Sequence, residues 1–349
     1  MSSPAAGVQD AEAVAAGRRS RARRRRRTTL LLGAGVVALA FTALMVGQTF
    51  YGPGEVLRVV LGERVPGASF TVGVLRLPRT VLGVLAGAAF GLAGITFQTM
   101  LRNPLAAPDV IGISSGASAA AVVGLVVLGW SPAQVSVLAV AGALVTALAV
   151  YGLAYRHGVA GSRLILIGIG VAAMLDSVIS YVLAGAASYD LATATRWLTG
   201  SLNSADWDAA LPLALALLVA APLLLGQARG LDLLQHGDDS AAALGVRVER
   251  TRVVAVVVAV VLVAFATAAT GPIAFVAFLS GPIAARVVGP GGSLLVPSML
   301  TGALLTLAAD LAGQFLFGTR YPVGVITGAL GAPFLIYLLV RTNRAGGSL

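Results

Sequence analysis

The chain has 349 residues, of which 58% are hydrophobic and 11% are charged, and its formal net charge is +10. Soluble domains carry about 25% charged residues, so this composition indicates an integral membrane protein. All 24 basic residues are arginine. The lack of lysine excludes a Walker A loop, which needs a Lys to reach the nucleotide phosphates. We therefore predict a protein that is not itself an ATPase.

The chain also lacks the usual ligands of a transition metal. It contains no cysteine, and its two histidines, His157 and His236, are far apart in sequence. A thiolate site and a histidine-rich site are both excluded on this count. The sequence predicts no catalytic residue, no metal and no cofactor bound by this chain.

An Arg-rich segment precedes the first apolar run. Eight arginines lie between Arg18 and Arg27, and the apolar run follows over residues 30–50. Such a segment is typical of a cytoplasmic anchor near anionic lipid, so lipid and not nucleic acid is the expected partner. A cleaved signal peptide is the alternative, but this run is longer than a signal-peptide core. We predict a disordered cytoplasmic tail over residues 1–27.

Ten apolar runs approach the roughly 20 residues that a helix needs to cross about 30 Å of hydrocarbon. The runs lie near residues 30–50, 80–101, 110–129, 133–155, 164–185, 208–227, 253–270, 273–288, 296–317 and 323–340. The eighth is short and is interrupted by Gly281-Pro282. With the N-terminus inside, 18 of the 24 arginines fall on the cytoplasmic side.

These runs predict an all-α integral membrane protein with about ten transmembrane helices and both termini in the cytoplasm. The membrane domain would span residues 28–341, with a short cytoplasmic tail over 342–349. Gly83, Gly87, Gly91 and Gly94 recur along the second span. Small residues at such spacing let helix backbones approach closely, so we predict tight packing there.

A polar stretch, residues 102–117, separates the second and third spans. Pro104 and Pro108 cannot continue a helix, and each favours extended geometry in the preceding residue, which predicts a tight, stiff turn. Ser114 and Ser115 then lie at the start of the third span. From the residues alone, the stretch is either a functional hinge or an ordinary polar loop.

Two carboxylates, Asp176 and Asp310, fall within predicted spans. A charge near the bilayer centre costs on the order of 3 kcal/mol, so each should face the bundle interior, a wet cavity or an interface. Proton or sodium coupling through the two is the alternative interpretation. The sequence shows no evident intramembrane basic partner for either of them.

Outside the membrane, Arg76 and Arg79 precede the second span. A rigid pair of guanidinium groups can hold the carboxylates of a docking partner, although snorkelling at a helix end would look the same. Inside, residues 228–252 form the longest polar loop. There, Asp238, Asp239 and Ser240 can cap a short helix that runs through Leu244 and ends at Gly245.

The combined pattern resembles the FecCD family, the permease subunits of bacterial ABC importers for iron siderophores, haem and cobalamin. The segments that carry the resemblance are Arg76-Leu77-Pro78-Arg79, Arg102-Asn103-Pro104-Leu105-Ala106 with Pro108 and Gly112, Leu244-Gly245-Val246, Gly271-Pro272-Ile273-Ala274-Phe275-Val276, Ala309-Asp310, Pro322-Val323-Gly324-Val325-Ile326-Thr327 and Gly331-Ala332-Pro333-Phe334.

The resemblance implies a ten-helix permease of the type II importer fold in the bacterial cytoplasmic membrane. It would assemble with a second permease, two ATPase subunits that use ATP and Mg, and an extracytoplasmic siderophore-binding protein. Site residues carried over from the family fall into three groups. They are Arg76 and Arg79 for binding-protein docking; Asn103, Leu105, Gly161 and Ser162 for a cytoplasmic gate; and Asp238, Asp239, Leu244, Gly245, Val246 and Arg250 for ATPase coupling.

The chain departs from the family pattern at two places. Gln314 stands where many members have a docking arginine, and Arg320 is the expected substitute. Leu279-Ser280-Gly281-Pro282 replaces a Val-Pro-His pattern and is similar to permeases of catecholate siderophore systems, which pair two non-identical chains. We expect a ferric siderophore importer permease with a non-identical partner; the alternatives are a haem or cobalamin permease, an ion-coupled transporter, or a receptor or scaffold without transport.

Overall fold

The computed structural model describes residues 4–154, 161–289 and 291–346, and these ranges are helical without strands. Arg156 and His157 lie outside them, as do residues 347–349 of the predicted C-terminal tail. The described α-helices, in chain order, are α1 Pro4–Met45, α2 Pro53–Val60, α3 Leu77–Leu101, α4 Ile113–Val122, α5 Pro132–Ala154, α6 Gly161–Ala184, α7 Ser188–Leu198, α8 Trp207–Gly226, α9 Ala228–Leu234, α10 Asp238–Ala243, α11 Val248–Thr270, α12 Val276–Val288, α13 Leu295–Phe315 and α14 Val323–Gly346.

Seven of the described helices are long and apolar enough to cross a membrane: α1, α3 with the π-helical turn Ser69–Arg76 before it, α5, α6, α8, α11 and α13. Three shorter apolar helices, Ile113–Val127, Val276–Val288 and Val323–Leu338, stand at the third, eighth and tenth predicted spans. The all-α, ten-span prediction is thus confirmed. We call the face that holds the end of α3 and helices α9 and α10 the inner face, and the opposite one the outer face.

The first helix differs from its prediction. It begins at Pro4 and continues without a break to Met45, so residues 4–27, expected to be a disordered tail, are helical. Alanine and arginine dominate this segment, and both have high helix propensity. Proline at the first helical position is also favourable, because its missing N–H would have no partner there.

Helix α3 lies at the centre of the bundle. In its segment, Ser69–Leu101, 83% of the most apolar 18 residues are buried. A methyl group added at Gly87 would collide with the carbonyl oxygen of Gly302, and one at Gly94 with that of Ala277. The predicted packing role of these glycines is therefore confirmed, since α13 and α12 approach the α3 backbone directly.

Helix α12 is continuous through Gly281-Pro282, where the sequence predicted an interruption. A proline has no N–H, so the carbonyl of Phe278, four residues earlier, loses its helical partner. The side chain of Gln98 on α3 replaces it: its Nε2 donates to that carbonyl at 2.9 Å in a buried position. Gly281 leaves room for this amide, because a Cβ there would overlap the Gln98 Oε1.

The opposite flank of the bundle is uncovered. Only 6% of the most apolar 18 residues of Arg163–Ala184, the main part of α6, are buried inside this chain. Large apolar side chains such as Leu166, Met174 and Tyr181 are exposed along it. In a membrane protein such a surface contacts lipid, a partner subunit or a water-filled path.

Candidate gate and coupling site

The stretch after α3 folds as a stiff turn. Arg102 ends the helix in the left-handed region, at φ +51°. Asn103 Oδ1 accepts a hydrogen bond from the Leu105 N–H at 2.9 Å. Ala107 is extended before Pro108, with φ −137° and ψ 153°, as the proline predicts. The predicted tight geometry is confirmed.

This turn packs into the bundle. Leu105 contacts a buried apolar cluster that includes Ala107 and Phe278, and this cluster joins the turn to α12 and α14. Gly112 has φ +80°, and a Cβ there would lie 3.2 Å from the Gly168 carbonyl oxygen on α6. Gly112 of the polar stretch therefore lies beside the middle of α6.

The predicted gate residues come from two elements. Asn103 and Leu105 lie in the turn, and Gly161 and Ser162 are the first two residues of α6. The one-turn 3₁₀ helix Pro108–Ile111 packs against α6, so the structure brings the two elements together. The gating role itself stays a prediction.

An ion triad at the inner face connects this turn to the short helix α10. The Asp238 carboxylate accepts bonds from Arg252 Nη2, at 3.1 Å to Oδ1 and 3.0 Å to Oδ2. Its Oδ1 also lies 3.5 Å from Arg102 Nη2. Arg102 is the residue directly before the predicted gate, so one carboxylate bridges the gate turn, α10 and the start of α11.

Helix α10 confirms the predicted short helix but not its predicted cap. It covers Asp238–Ala243 with Gly237 as N-cap, and the Asp238 side chain binds arginines instead of capping. Its end matches the prediction: Gly245 has φ +84°, and the Val246 N–H donates to the Ala241 carbonyl at 3.0 Å. This is a Schellman ending, which glycine favours.

The outward surface of this region carries charged residues and one apolar residue. Asp239 and Arg250 are exposed, and the Leu244 side chain is 64% exposed. Val246 instead packs against the main core. On the neighbouring α9, burial raises the pKa of the Asp232 carboxyl, a rise that the charges of Arg25 and His236 oppose. The inner face thus presents an exposed leucine between charges of both signs.

At the outer face, Arg79 pairs with Asp310. Arg79 Nη2 lies 2.6 Å from Oδ1, and its Nε donates to Oδ2 at 2.9 Å, so the pair is bidentate. The side chains are 19% and 6% exposed. Gln314 Nε2 also donates to this carboxylate, at 2.7 Å, and Arg79 Nη1 donates to Asn203 at 2.9 Å. The sequence shows no evident basic partner for Asp310; the structure supplies Arg79, because α3 packs on α13.

The predicted docking arginines have different environments. Arg76 Nη1 donates to the carbonyls of Leu44 and Met45 at 2.8 and 2.9 Å, and so satisfies free carbonyls at the end of α1. Its guanidinium also lies over the Tyr51 ring, 5.3 Å from the centroid. Arg320 is exposed. Arg76 and Arg79 thus serve the fold, whereas Arg320 presents its charge to the surroundings.

Sequence reasoning missed three of these contacts. Arg252 and Asn203 lie in predicted loops, where their residue types gave no reason to expect a specific contact. Gln98 lies inside a predicted span, and no role was predicted for it. Gln98 carried a usable signal, because a buried amide in a membrane helix must find a partner. The other two acquire their roles only when distant segments pack together.

Comparison with known proteins gives one family. The model of the FecCD transport family matches residues 35–341. The ferric enterobactin transport system permease protein FepG of Escherichia coli (strain K12) is 41% identical over 319 residues, which cover 90% of this chain and 96% of that protein. FepD, a ferric enterobactin permease protein of the same strain, is 36% identical over 318 residues, covering 89% and 94%.

One solved structure supports the fold. An inward-facing conformation of a metal-chelate type ABC transporter superposes with a TM-score of 0.81, at 24% sequence identity. The match covers 90% of this chain and 99% of that one.

Proposed function

The chain belongs to the FecCD transport family, and from that premise we propose that it is the permease subunit of an ATP-driven importer that moves ferric siderophore complexes across the bacterial cytoplasmic membrane. It is a multi-pass membrane protein, and the ATPase of such an importer is a separate subunit. The ferric chelate is cargo that an external binding protein would deliver. FepG and FepD, both named as ferric enterobactin permeases, support this class of cargo.

The proposed complex contains two ATPase subunits and a second, related permease. Two observations support a permease partner: the first favours a non-identical chain, and the second favours a partner of either kind. FepG and FepD are two distinct chains named for one transport system in one organism. In addition, α6 is left almost bare by its own chain, with 6% of its apolar window buried.

The Asp238 triad is the observation that carries the mechanism. An ATPase subunit would bind Asp239 of α10, Leu244 directly after it and Arg250 in the first turn of α11. Closure of the ATPase pair on ATP and Mg would displace α10 as a rigid body. Because Asp238 holds Arg102, the displacement would reach Asn103 and Leu105, and the turn would open or close against α6.

At the outer face, the binding protein would dock through carboxylates. Arg320 is exposed for this contact. A guanidinium has five N–H donors, so Arg76 and Arg79 would each have to share theirs between internal acceptors and an incoming carboxylate. We therefore expect Arg320 to contribute to docking without cost to the fold.

The first experiment is purification of the chain from its native membrane in mild detergent, with the co-purifying proteins identified by mass spectrometry. We expect an ATPase with a Walker A loop and a second permease. The ATPase with this permease alone would indicate a homodimer. Recovery of neither from an intact complex would contradict the importer.

Uptake of ⁵⁵Fe-siderophore by cells that depend on this chain tests the energy source. Import should fail when ATP is depleted and persist when an uncoupler is added while ATP is held constant. An ion-coupled transporter would keep importing when ATP is depleted and would fail when the uncoupler is added.

The double variant Asn103→Ala, Leu105→Ala tests the gate. It should alter uptake if the chain is a permease, and it should have no effect on uptake if the chain is a scaffold without transport.

A further inference from the structure

Helix α6 carries a carboxylate that its own chain does not neutralise. Asp176 is exposed and lies eight residues before Ala184, about 12 Å from the outer end of α6 at 1.5 Å per residue. Among the described residues, no ion pair or hydrogen bond engages its carboxylate. A charge in contact with lipid at this depth is strongly unfavourable, so this side of α6 faces water or polar groups.

A cavity with a mixed apolar and polar lining adjoins Asp176. It has a volume of about 360 Å³ and lies where α4, α6 and the end of α7 meet the residues after α11. Four of its eight lining residues are serines. The lining residues are Ser114, Ser115, Ser118, Asp176, Ile179, Ser180, Leu198 and Pro272.

The charge of this cavity has one sign. Asp176 is the only ionisable residue that lines it within the described chain. Beyond the lining, the Ser114 hydroxyl donates to the Asp109 carboxylate, and the exposed Arg196 lies two residues before Leu198. No arginine is among the lining residues that the structure describes. The serine hydroxyls can hydrogen-bond a polar molecule, while the carboxylate attracts cations and repels anions.

We propose that Asp176 and the serines around it line the transport path and select the cargo by charge, favouring ferric chelates of net charge zero or above over polyanionic ones. This rests on the proposed function. Charge balance separates the classes: Fe³⁺ with three singly charged hydroxamates is neutral, and with three doubly charged catecholates it is −3. The catecholate-type pattern recognised in the sequence, Leu279-Ser280-Gly281-Pro282, lies on α12 and not on α6.

The first test measures the cavity itself and requires no cargo. Because the chain has no cysteine, Ser180→Cys introduces one thiol beside Asp176. The importer in native membranes is treated with a cationic or an anionic methanethiosulfonate of similar size. We expect faster labelling by the cation, and adding Asp176→Asn should lower the cation-to-anion rate ratio about tenfold. Ser188→Cys, outside the cavity, should keep its ratio when Asp176 is changed.

Two labelling results would overturn the proposal. One is an absence of labelling at position 180 by either reagent, which would mean that water does not reach the cavity. The other is a rate ratio that Asp176→Asn leaves unchanged. Both readouts are independent of what the importer carries, so they stay informative if the proposed function fails.

The second test measures selection. Cells that depend on this importer are offered the ⁵⁵Fe complexes of a tris-hydroxamate and a tris-catecholate. The ratio of the two uptakes is compared between variants, so that the preference of the shared binding protein cancels. Asp176→Asn should shift the ratio toward the catecholate about tenfold, and Asp176→Arg further. Asp190→Asn, which removes the same charge on α7, should change it less than twofold.

An unchanged ratio in Asp176→Arg, with uptake retained, would reject charge selection. Uptake of neither chelate by the wild-type importer would instead reject the proposed function, and the labelling rates alone would then decide the character of the cavity.

Discussion

Helices α3 and α6 have similar apolar compositions but opposite environments. In the α3 segment 83% of the most apolar window is buried, against 6% in α6. The carboxylate that packs beside α3, Asp310, is held by Arg79, whereas Asp176 on α6 has no such partner among the described residues. The difference indicates that this chain alone completes the surroundings of α3. The surroundings of α6 are completed by another molecule or by water.

The largest expected effect is at the α3 side, where Asp310→Ala leaves the Arg79 guanidinium inside the bundle without its counter-ion. Breaking such a pair typically costs about 3–5 kcal/mol of unfolding free energy. Thermal unfolding of the purified protein in detergent should show a strongly lowered midpoint. Asp176→Ala is the matched control and should leave the midpoint within a degree or two.

The double variant Asp310→Ala, Arg79→Leu separates an unpaired charge from a general loss of packing. It should recover much of the stability, because no charge is then left unpaired. Equal midpoints for Asp310→Ala and the wild-type protein would mean that the two environments do not differ as described.

A smaller effect is expected from Gly94→Ala. The added methyl group would collide with the Ala277 backbone, and overpacking of this kind costs about 1–3 kcal/mol. The same unfolding measurement applies. Gly152→Ala on α5 is the control, since a methyl group there meets no described atom within 4 Å outside its own helix. If both variants unfold alike, close packing around α3 is not what stabilises the bundle.

The sequence alone could give the number and order of the membrane helices, because the length and apolarity of each run suffice for that. It also gave the packing role of Gly87 and Gly94 through their spacing. The Arg79–Asp310 pair could not be predicted from the sequence, because 231 positions separate the two residues and only the packing of α3 on α13 brings them together. From the sequence, Arg79 was a candidate for docking the binding protein and Asp310 a candidate for proton or sodium coupling, so nothing connected the two.

The contrast between α3 and α6 was equally out of reach. A helix covered by lipid and a helix covered by protein are both apolar, so hydropathy does not separate them. The start of α1 shows a different difficulty. Residues 4–27 were predicted to be disordered, whereas the helix propensity of alanine and arginine favours the helix that the structure has.

The ion cluster at the inner face contributes less to stability than the Arg79–Asp310 pair. The side chains of Asp238 and Arg102 are 42% and 47% exposed, and exposed pairs contribute about 0–1 kcal/mol. Because Arg252, at 12% exposure, also loses its counter-ion, Asp238→Asn should lower the unfolding midpoint, but by less than Asp310→Ala does. Siderophore uptake should nevertheless fall severalfold while the ATPase continues to hydrolyse ATP, because the link from α10 to the gate turn is weakened.

Arg58→Gln is the control for that link. It breaks an exposed pair with Glu63 on the other side of the bundle and should leave both stability and uptake unchanged. An Asp238→Asn importer with full uptake per ATP hydrolysed would show that the triad does not carry the coupling.

The smallest effect on the chain's own stability is expected at the bare flank, from Gly170→Leu. No described atom outside its own helix lies within 4 Å of a methyl group at this position, and leucine has higher helix propensity than glycine, so the unfolding midpoint should not fall. If a second permease covers α6, the larger side chain should still reduce its recovery in co-purification, because the two helices could no longer approach closely. Gly152→Leu on α5 is equally unhindered within this chain and should retain the partner. Full recovery of the partner with both variants would mean that lipid covers Gly170, and the partner surface would then have to be sought elsewhere on the bundle.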